Sequence, residues 1–156
     1  MEIKLVEFGK NGYPITNRTL NLLETLCAEE SLTVGAVRPI KTRHTHELVF
    51  KREYRTFKPS NIVGKVVDIE YDFSPEGLTL FGRLVAEGNK KEILEAAIRV
   101  YQNSVPLIPR ALTEYVDGKF ELVELLGFDL FLDDQDVHNL MTRHSDNVEG
   151  YSLSLV

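Results

Sequence analysis

The strongest indication of the fold lies in residues 67–85, which read VDIEYDFSPEGLTLFGRLV. Apolar side chains alternate strictly in the first part of this stretch, at Val67, Ile69, Tyr71 and Phe73. This alternation is typical of a strand with one buried face. Ser74-Pro75-Glu76-Gly77 then predicts a turn, with proline second and glycine fourth. We therefore expect the apolar residues from Leu78 to Val85 to return as the paired strand of a hairpin.

A second hairpin is predicted around Asp117-Gly118, because both residues tolerate the positive φ of a two-residue turn. Strand-like sequence precedes it from Val105 to Val116, and a long strand follows from Phe120 to Leu132. The even-numbered face of the long strand is expected to be buried and consists of Phe120, Leu122, Leu126, Phe128, Leu130 and Leu132. Odd positions such as Glu121 are expected to face water.

Shorter signals complete the secondary structure. Strands are predicted around Ile3 to Phe8 and Val34 to Val37. The first helix has Thr16 or Asn17 as its cap and is expected to bury Leu20, Leu23 and Cys27. The second has a capping box of Asn89 and Glu92 and a face of Leu94, Ile98 and Tyr101, and a short third runs from Asp134 to Arg143.

This count of about six strands, mostly joined as hairpins, predicts an α+β, mainly β fold. We expect an antiparallel β-barrel, or a strongly curled sheet, with flanking helices. The 156 residues are interpreted as one domain, with a core over about 1–133 and a C-terminal helix and tail over 134–156.

Composition excludes several classes of protein. The net charge of −6 argues against a partner nucleic acid, and no apolar run reaches the roughly 18 residues of a membrane span. A single cysteine excludes a disulfide framework and fits a reducing compartment. Charge is uneven, basic over 41–58 and acidic over 121–149. These patches are either solvated faces or complementary surfaces for self-association.

His44-Thr45-His46 places two imidazoles on one side of an extended backbone. With Glu47, Asp129 or a distant histidine, they would form a metal site and a metal-dependent hydrolase. The other interpretation is that these are ordinary surface or loop histidines.

Ser104 follows the second predicted helix and is expected to begin a strand, where a rigid junction would hold its hydroxyl. Asp129 lies within an apolar strand, so its carboxylate requires either a partner or an exposed face. Glu124 is the reverse case, an acid on the predominantly apolar face of that strand. Serines at such junctions also serve simply as caps or turn formers.

Short motifs follow one another in a fixed order over roughly residues 8 to 133: Asn11–Leu20, His46-Glu47, Ile62–Ile69, Glu76–Leu84, the helix Lys90–Tyr101, Ser104–Pro109 and Glu121–Leu130. Their order and spacing resemble the tailed-phage prohead (capsid maturation) serine proteases. In that family a glycine-lysine strand and a glycine-rich hairpin precede a helix that leads to the catalytic serine. A strand with a glu-val-x-leu pattern follows.

The resemblance implies the assemblin-like barrel and a serine endopeptidase with Ser104 as nucleophile, His46 as general base and Asp129 as the third member. His44 and Glu124 are the second candidates for base and acid. Such an enzyme would cut scaffold and the N-terminal segments of the major capsid protein, and itself, inside procapsids in the host cytoplasm. It would act as a homo-oligomer, without cofactor or metal.

Two residues depart from the family pattern. Pro106 replaces a glycine and has no backbone N–H to offer an oxyanion, and Leu107 replaces an aromatic residue or an arginine. Either the oxyanion donor comes from elsewhere, or the chain is a non-catalytic structural or scaffold-binding head component with the same fold.

Overall fold

The computed structural model describes residues 2–10, 12–37, 56–132 and 134–145. Within them lie the strands β1 (Glu2–Gly9), β2 (Leu32–Val37), β3 (Ile62–Ser74), β4 (Gly77–Ala86), β5 (Leu107–Val116) and β6 (Lys119–Phe131). The helices are α1 (Asn17–Ala28), α2 (Lys91–Tyr101) and α3 (Asp134–Ser145), with 3-10 turns at Pro59–Asn61 and Gln102–Ser104. None of the described helices is long and apolar enough to cross a membrane.

The six strands form one curled sheet in the order β1-β4-β3-β2-β6-β5. Both predicted hairpins are confirmed, since β3 pairs antiparallel with β4 and β5 with β6. β2 lies between them, antiparallel to β3 and parallel to β6. The prediction of a purely antiparallel barrel is therefore wrong. Because β3 and β6 run in opposite directions, a strand between them is parallel to one of them.

The sheet is also not closed. It forms a half-barrel whose edge strands are β1 and β5, and these edges contact each other without a ladder of hydrogen bonds. The predicted α+β, mainly β class and the flanking helices are confirmed, whereas the closed barrel is not.

The long strand β6 buries a different set of residues from the predicted even-numbered face. Its register with β5 shifts twice, opposite Arg110/Ala111 and opposite Leu112/Thr113. Each shift is a β-bulge, in which an extra residue turns the following side chains to the other face. Leu125 is consequently buried together with Leu122, Phe128, Leu130 and Leu132, and Leu126 is half-buried. Phe120 lies on the same side of the strand as Leu122 but next to the hairpin turn, where it is 62% exposed.

β3 contains a bulge of the same kind, which breaks the predicted strict alternation. Asp68 has a positive φ of 52°, and the register with β4 shifts between Val67 and Glu70. Only Ile69 of the four alternating residues is buried. The part of β3 that contains Tyr71 and Phe73 extends past the start of β2. These two side chains are therefore 43% and 62% exposed.

Helix α1 begins as predicted, with Thr16 as its cap in a capping box with Thr19. Its buried face is Thr19, Leu23 and Leu26, which follow one another at helical spacing. Leu20 and Cys27 lie one residue further round the helix and are exposed, so their predicted burial is wrong.

Helix α2 packs on β3 and β4, and α3 packs on α2. α2 buries Ile93, Leu94, Ala96 and Ala97, while the predicted face residues Ile98 and Tyr101 are only half-buried. The predicted capping box at Asn89 is wrong, because Lys90 occupies the cap position and the Asn89 amide donates to the Pro59 carbonyl at 3.1 Å.

Candidate functional site

Ser104 ends the 3-10 turn that follows α2, and its side chain is exposed. Gln102, which caps the C-terminus of α2, redirects the chain with a positive φ of 55°. β5 begins only at Leu107, so the prediction that Ser104 begins a strand is wrong. The 3-10 turn packs against β1 and α2, and these contacts hold the backbone of Ser104 in place.

Phe131 links the surroundings of Ser104 to the end of β2. Its N–H donates to the Pro106 carbonyl at 3.2 Å, and it pairs with Val37, the last residue of β2. Ser104 and the C-terminal end of β2 therefore lie at the same end of the sheet. His44 and His46 follow β2 in the chain but fall outside the described residues, so their role as base stays a prediction.

The backbone after Ser104 offers few donors for an oxyanion. Pro106 has no N–H, and the Leu107 N–H donates to the Val105 carbonyl at 2.8 Å. An oxyanion hole requires N–H groups that point at the reacting oxygen, so Leu107 would have to break its bond to serve. Neither residue 106 nor residue 107 therefore offers an uncommitted backbone N–H to an oxyanion.

Asp129, the predicted third member, forms a two-point ion pair with Arg110 on β5. The Arg110 Nη2 donates to Asp129 Oδ1 at 2.6 Å, and Nε donates to Oδ2 at 3.2 Å. Both side chains are largely buried, at 10% and 14% exposed. The carboxylate thus has the partner that its apolar strand requires, and that partner is an arginine.

Arg110 also holds the chain that enters β3. Its Nη1 donates to the Thr56 carbonyl at 2.7 Å, and its Cζ atom lies 3.9 Å from the centroid of the Phe57 ring. We call Arg110, Asp129, Thr56 and Phe57 the Arg110 clasp. Sequence reasoning missed every member except Asp129. The only available signal was an arginine in a strand-like segment that follows the candidate serine.

Two glycines make room for the Phe57 ring on the sheet. A Cβ atom at Gly127 on β6 would lie 2.6 Å from this ring, and a Cβ atom at Gly35 on β2 would lie 2.9 Å from it. Both distances are too short for real carbon contacts, so a side chain at either position would displace the Phe57 ring. The clasp therefore fixes Thr56 and Phe57, where the described chain resumes after Val37.

The second candidate acid, Glu124, is exposed on β6 opposite Leu112. Glu121 is the buried acid of this strand, at 8% exposed. It accepts a hydrogen bond from Thr16 Oγ1 at 2.5 Å, and Arg18 Nε lies 3.7 Å away. The prediction that Glu121 faces water is wrong, because α1 packs its N-terminus against this part of β6.

Cys27, the single cysteine of the chain, lies beside a cleft of about 510 Å³ with several acidic residues. Partial desolvation and then the negative charge of Glu70 raise the pKa of the Cys27 thiol. Because the thiolate is the reactive form, a raised pKa disfavours Cys27 as a nucleophile.

No group of three or more histidine, cysteine, aspartate and glutamate side chains in the described ranges could hold a metal ion. His138 is exposed on α3. The metal site built on His44 and His46 lies outside the described residues and stays a prediction.

Comparison with known proteins gave no match: no family model, no curated protein and no solved structure is similar to this chain.

Proposed function

We propose that this chain is a serine endopeptidase of the prohead-protease kind, with Ser104 as its nucleophile. The observation that supports this best is the position of Ser104. Its hydroxyl is exposed at the end of the sheet where β2 stops, and the chain that continues from β2 contains His44 and His46. The order of the motifs and the curled, β-rich fold with flanking helices are consistent with it.

In this proposal His46, or His44, accepts the Ser104 proton as the hydroxyl attacks a peptide carbonyl. The imidazolium that forms then protonates the leaving amine. Asp129 would stabilise it through the lone pairs that Arg110 leaves open, and Glu124 is the alternative acid. The substrates would be scaffold and capsid-protein segments within the procapsid, and the enzyme would act as a homo-oligomer.

Labelling with a fluorophosphonate probe, followed by mass spectrometry, tests the proposal directly. The full-length protein should acquire one adduct on Ser104, and Ser104→Ala should abolish it. Ser74→Ala removes another exposed serine, at the end of β3, and should leave labelling unchanged. His46→Ala or His44→Ala should suppress labelling, whereas His138→Ala should not. Absence of an adduct on Ser104 would contradict the proposal.

A second candidate is a non-catalytic head component with the same fold. Two specific observations favour it: Arg110 engages both oxygens of Asp129, and the Leu107 N–H is committed to Val105. This candidate predicts no fluorophosphonate adduct and an intact chain after prolonged incubation at high concentration. It also predicts that Ser104→Ala leaves binding to scaffold or capsid protein unchanged.

A further inference from the structure

The tip of the β5–β6 hairpin carries an exposed aromatic pair. Tyr115 and Phe120 are 64% and 62% exposed, and their ring centroids lie 5.2 Å apart at an interplanar angle of 65°. The two residues face each other across the strands, next to the turn at Asp117-Gly118. The rings stabilise each other as a cross-strand pair, but most of their apolar surface remains in water.

Other exposed apolar side chains share this end of the sheet. β3 and β6 both extend past the start of β2 in the same direction, so the tips of the two hairpins project from one end. Apart from Ile108 near the start of β5, the large apolar side chains that are exposed in the described residues lie in the outer parts of the two hairpins or at the start of α1: Ile15, Leu20, Tyr71, Phe73, Tyr115, Val116, Phe120 and Val123. Such clustering is typical of an interaction surface.

A cleft of about 530 Å³ adjoins the aromatic pair, between the loop after β1 and the hairpin tip. We call it the tip cleft, and its side-chain lining is Lys10, Tyr13, Pro14, Lys119 and Phe120. Its size falls within the roughly 300–1,000 Å³ of ligand sites. The Tyr13 ring packs on the buried Phe8 ring, with centroids 6.0 Å apart, and this contact holds Tyr13 in place beside the cleft.

The charge of the tip cleft is opposite to that of the molecule. Among the described residues, Lys10 and Lys119 are the only charged ones that line it, in a chain with a net charge of −6. Neither ammonium group forms an ion pair with an acidic side chain in the described ranges. A partner with carboxylates would therefore find two available cations beside exposed aromatic rings.

We propose that the tip cleft binds a peptide segment of a partner protein that combines acidic residues with an aromatic or aliphatic side chain. The apolar side chain would contact Phe120 and Tyr13, and the carboxylates would contact Lys10 and Lys119. β5 runs for ten residues from its start near Ser104 to this tip, roughly 30 Å of strand. The surface is thus separate from Ser104 and does not depend on whether Ser104 is a nucleophile.

Fluorescence anisotropy with the full-length protein tests the proposal. The probe is a short fluorescein-labelled peptide of glutamate, phenylalanine, serine and glycine, and its partner probe has lysine in place of glutamate. We expect the acidic probe to bind at least about tenfold more tightly than the basic one, with an affinity that falls as salt rises. Ser104→Ala should not change this affinity.

Matched variants locate the binding site. Phe120→Ala should weaken binding of the acidic probe about tenfold or more, and Lys119→Glu by roughly three- to tenfold. Phe73→Ala removes an equally exposed ring from the other hairpin, and Lys91→Glu reverses an exposed lysine on α2. Both control variants should leave the affinity unchanged.

Three outcomes would overturn the proposal. The first is equal affinity for the acidic and basic probes, or no binding of the acidic probe. The second is an affinity that Phe120→Ala and Lys119→Glu do not alter. The third is a dimer in analytical ultracentrifugation that Phe120→Ala converts to monomer, because the occupant of the tip surface would then be a second copy of this chain.

Discussion

Two arginine–aspartate pairs on this sheet differ mainly in their surroundings. Arg110 and Asp129 meet at 2.6 Å with side chains 10% and 14% exposed, whereas Arg83 and Asp68 meet at 3.0 Å with side chains 49% and 67% exposed. Arg110 also holds the Thr56 carbonyl and stacks on Phe57. The same two functional groups therefore serve as an anchor of the chain in one place and as a solvated surface contact in the other.

The largest loss of folding stability is expected from breaking the buried Arg110–Asp129 pair. Arg110→Ala leaves the Asp129 carboxylate without its partner in a largely buried position and removes the bond to Thr56. We expect the free energy of unfolding to fall by about 3–5 kcal/mol, measured by urea denaturation with circular dichroism.

A double variant sharpens this prediction. Arg110→Met with Asp129→Leu removes both charges and keeps apolar volume, so it should be clearly more stable than Arg110→Ala. If the double variant is as unstable as the single one, the cost does not arise from an unpaired buried charge.

The next effect is expected from the glycine beneath the clasp. Gly127→Ala introduces a Cβ atom 2.6 Å from the Phe57 ring and 2.5 Å from the Thr33 carbonyl oxygen. We expect a loss of about 2–3 kcal/mol in the same assay, because the ring or the strand must move and because the positive φ of 156° at Gly127 disfavours a side chain. Gly118→Ala is the control, since its Cβ atom would lie 3.9 Å from the Tyr115 hydroxyl and meet nothing closer. Only the strain of its positive φ remains there, about 1 kcal/mol. Equal losses for the two variants would contradict the packing of Phe57 on Gly127.

A smaller effect is expected at Glu121, a buried acid with an exposed basic neighbour. Glu121→Ala removes the acceptor of the Thr16 hydroxyl and one of the two acids beside Arg18. We expect a loss of about 1.5–2 kcal/mol, at the lower end of what a hydrogen bond to a charged group contributes. Glu114→Ala removes the exposed acid on Arg18 and should cost less. The reverse order would mean that Glu121 does not anchor α1.

The smallest effect is expected from breaking the exposed pair. Arg83→Ala should change the free energy of unfolding by less than about 1 kcal/mol, because solvent already screens both groups. A thermal-denaturation comparison with Arg110→Ala measures the contrast between the two pairs. A loss at Arg83 as large as that at Arg110 would show that burial is not what distinguishes them.

The parts of the fold that local chemistry specifies were predictable from the sequence. Asp117 and Gly118 adopt the positive φ values that their types suggested, 51° and 81°, and the turn between β3 and β4 lies where Ser74 to Gly77 indicated. The bulges in β3 and β6 were not predictable, because a bulge depends on pairing with the neighbouring strand. Two extra residues in β6 were enough to move Leu125 into the core, and Phe120 is exposed because it lies next to the hairpin turn.

The candidate site was also predictable only where it depends on local sequence and not on how the strands pair. The apolar surroundings of Asp129 correctly indicated that its carboxylate needs a partner. The identity of that partner depends on the register of the β5–β6 hairpin, which brings Arg110 close from 19 residues away. Ser104 lies near the predicted junction, whereas its relation to His44 and His46 remains the proposal on which the function depends.

A cross-linking measurement tests that relation most directly. In a Cys27→Ser background, His46→Cys is combined with Ser104→Cys, and His46→Cys with Ser74→Cys serves as the control at the opposite end of β3. A serine hydroxyl reaches an imidazole nitrogen when the two Cα atoms lie farther apart than the about 4.4–6.8 Å of a disulfide, so the thiols are bridged with a short bis-methanethiosulfonate reagent. The proposal predicts that the reagent cross-links the pair with position 104, seen as loss of free thiols and a faster non-reducing gel band, while the control pair is not cross-linked. No cross-link to position 104 from position 46, or from His44→Cys in the same design, would contradict it.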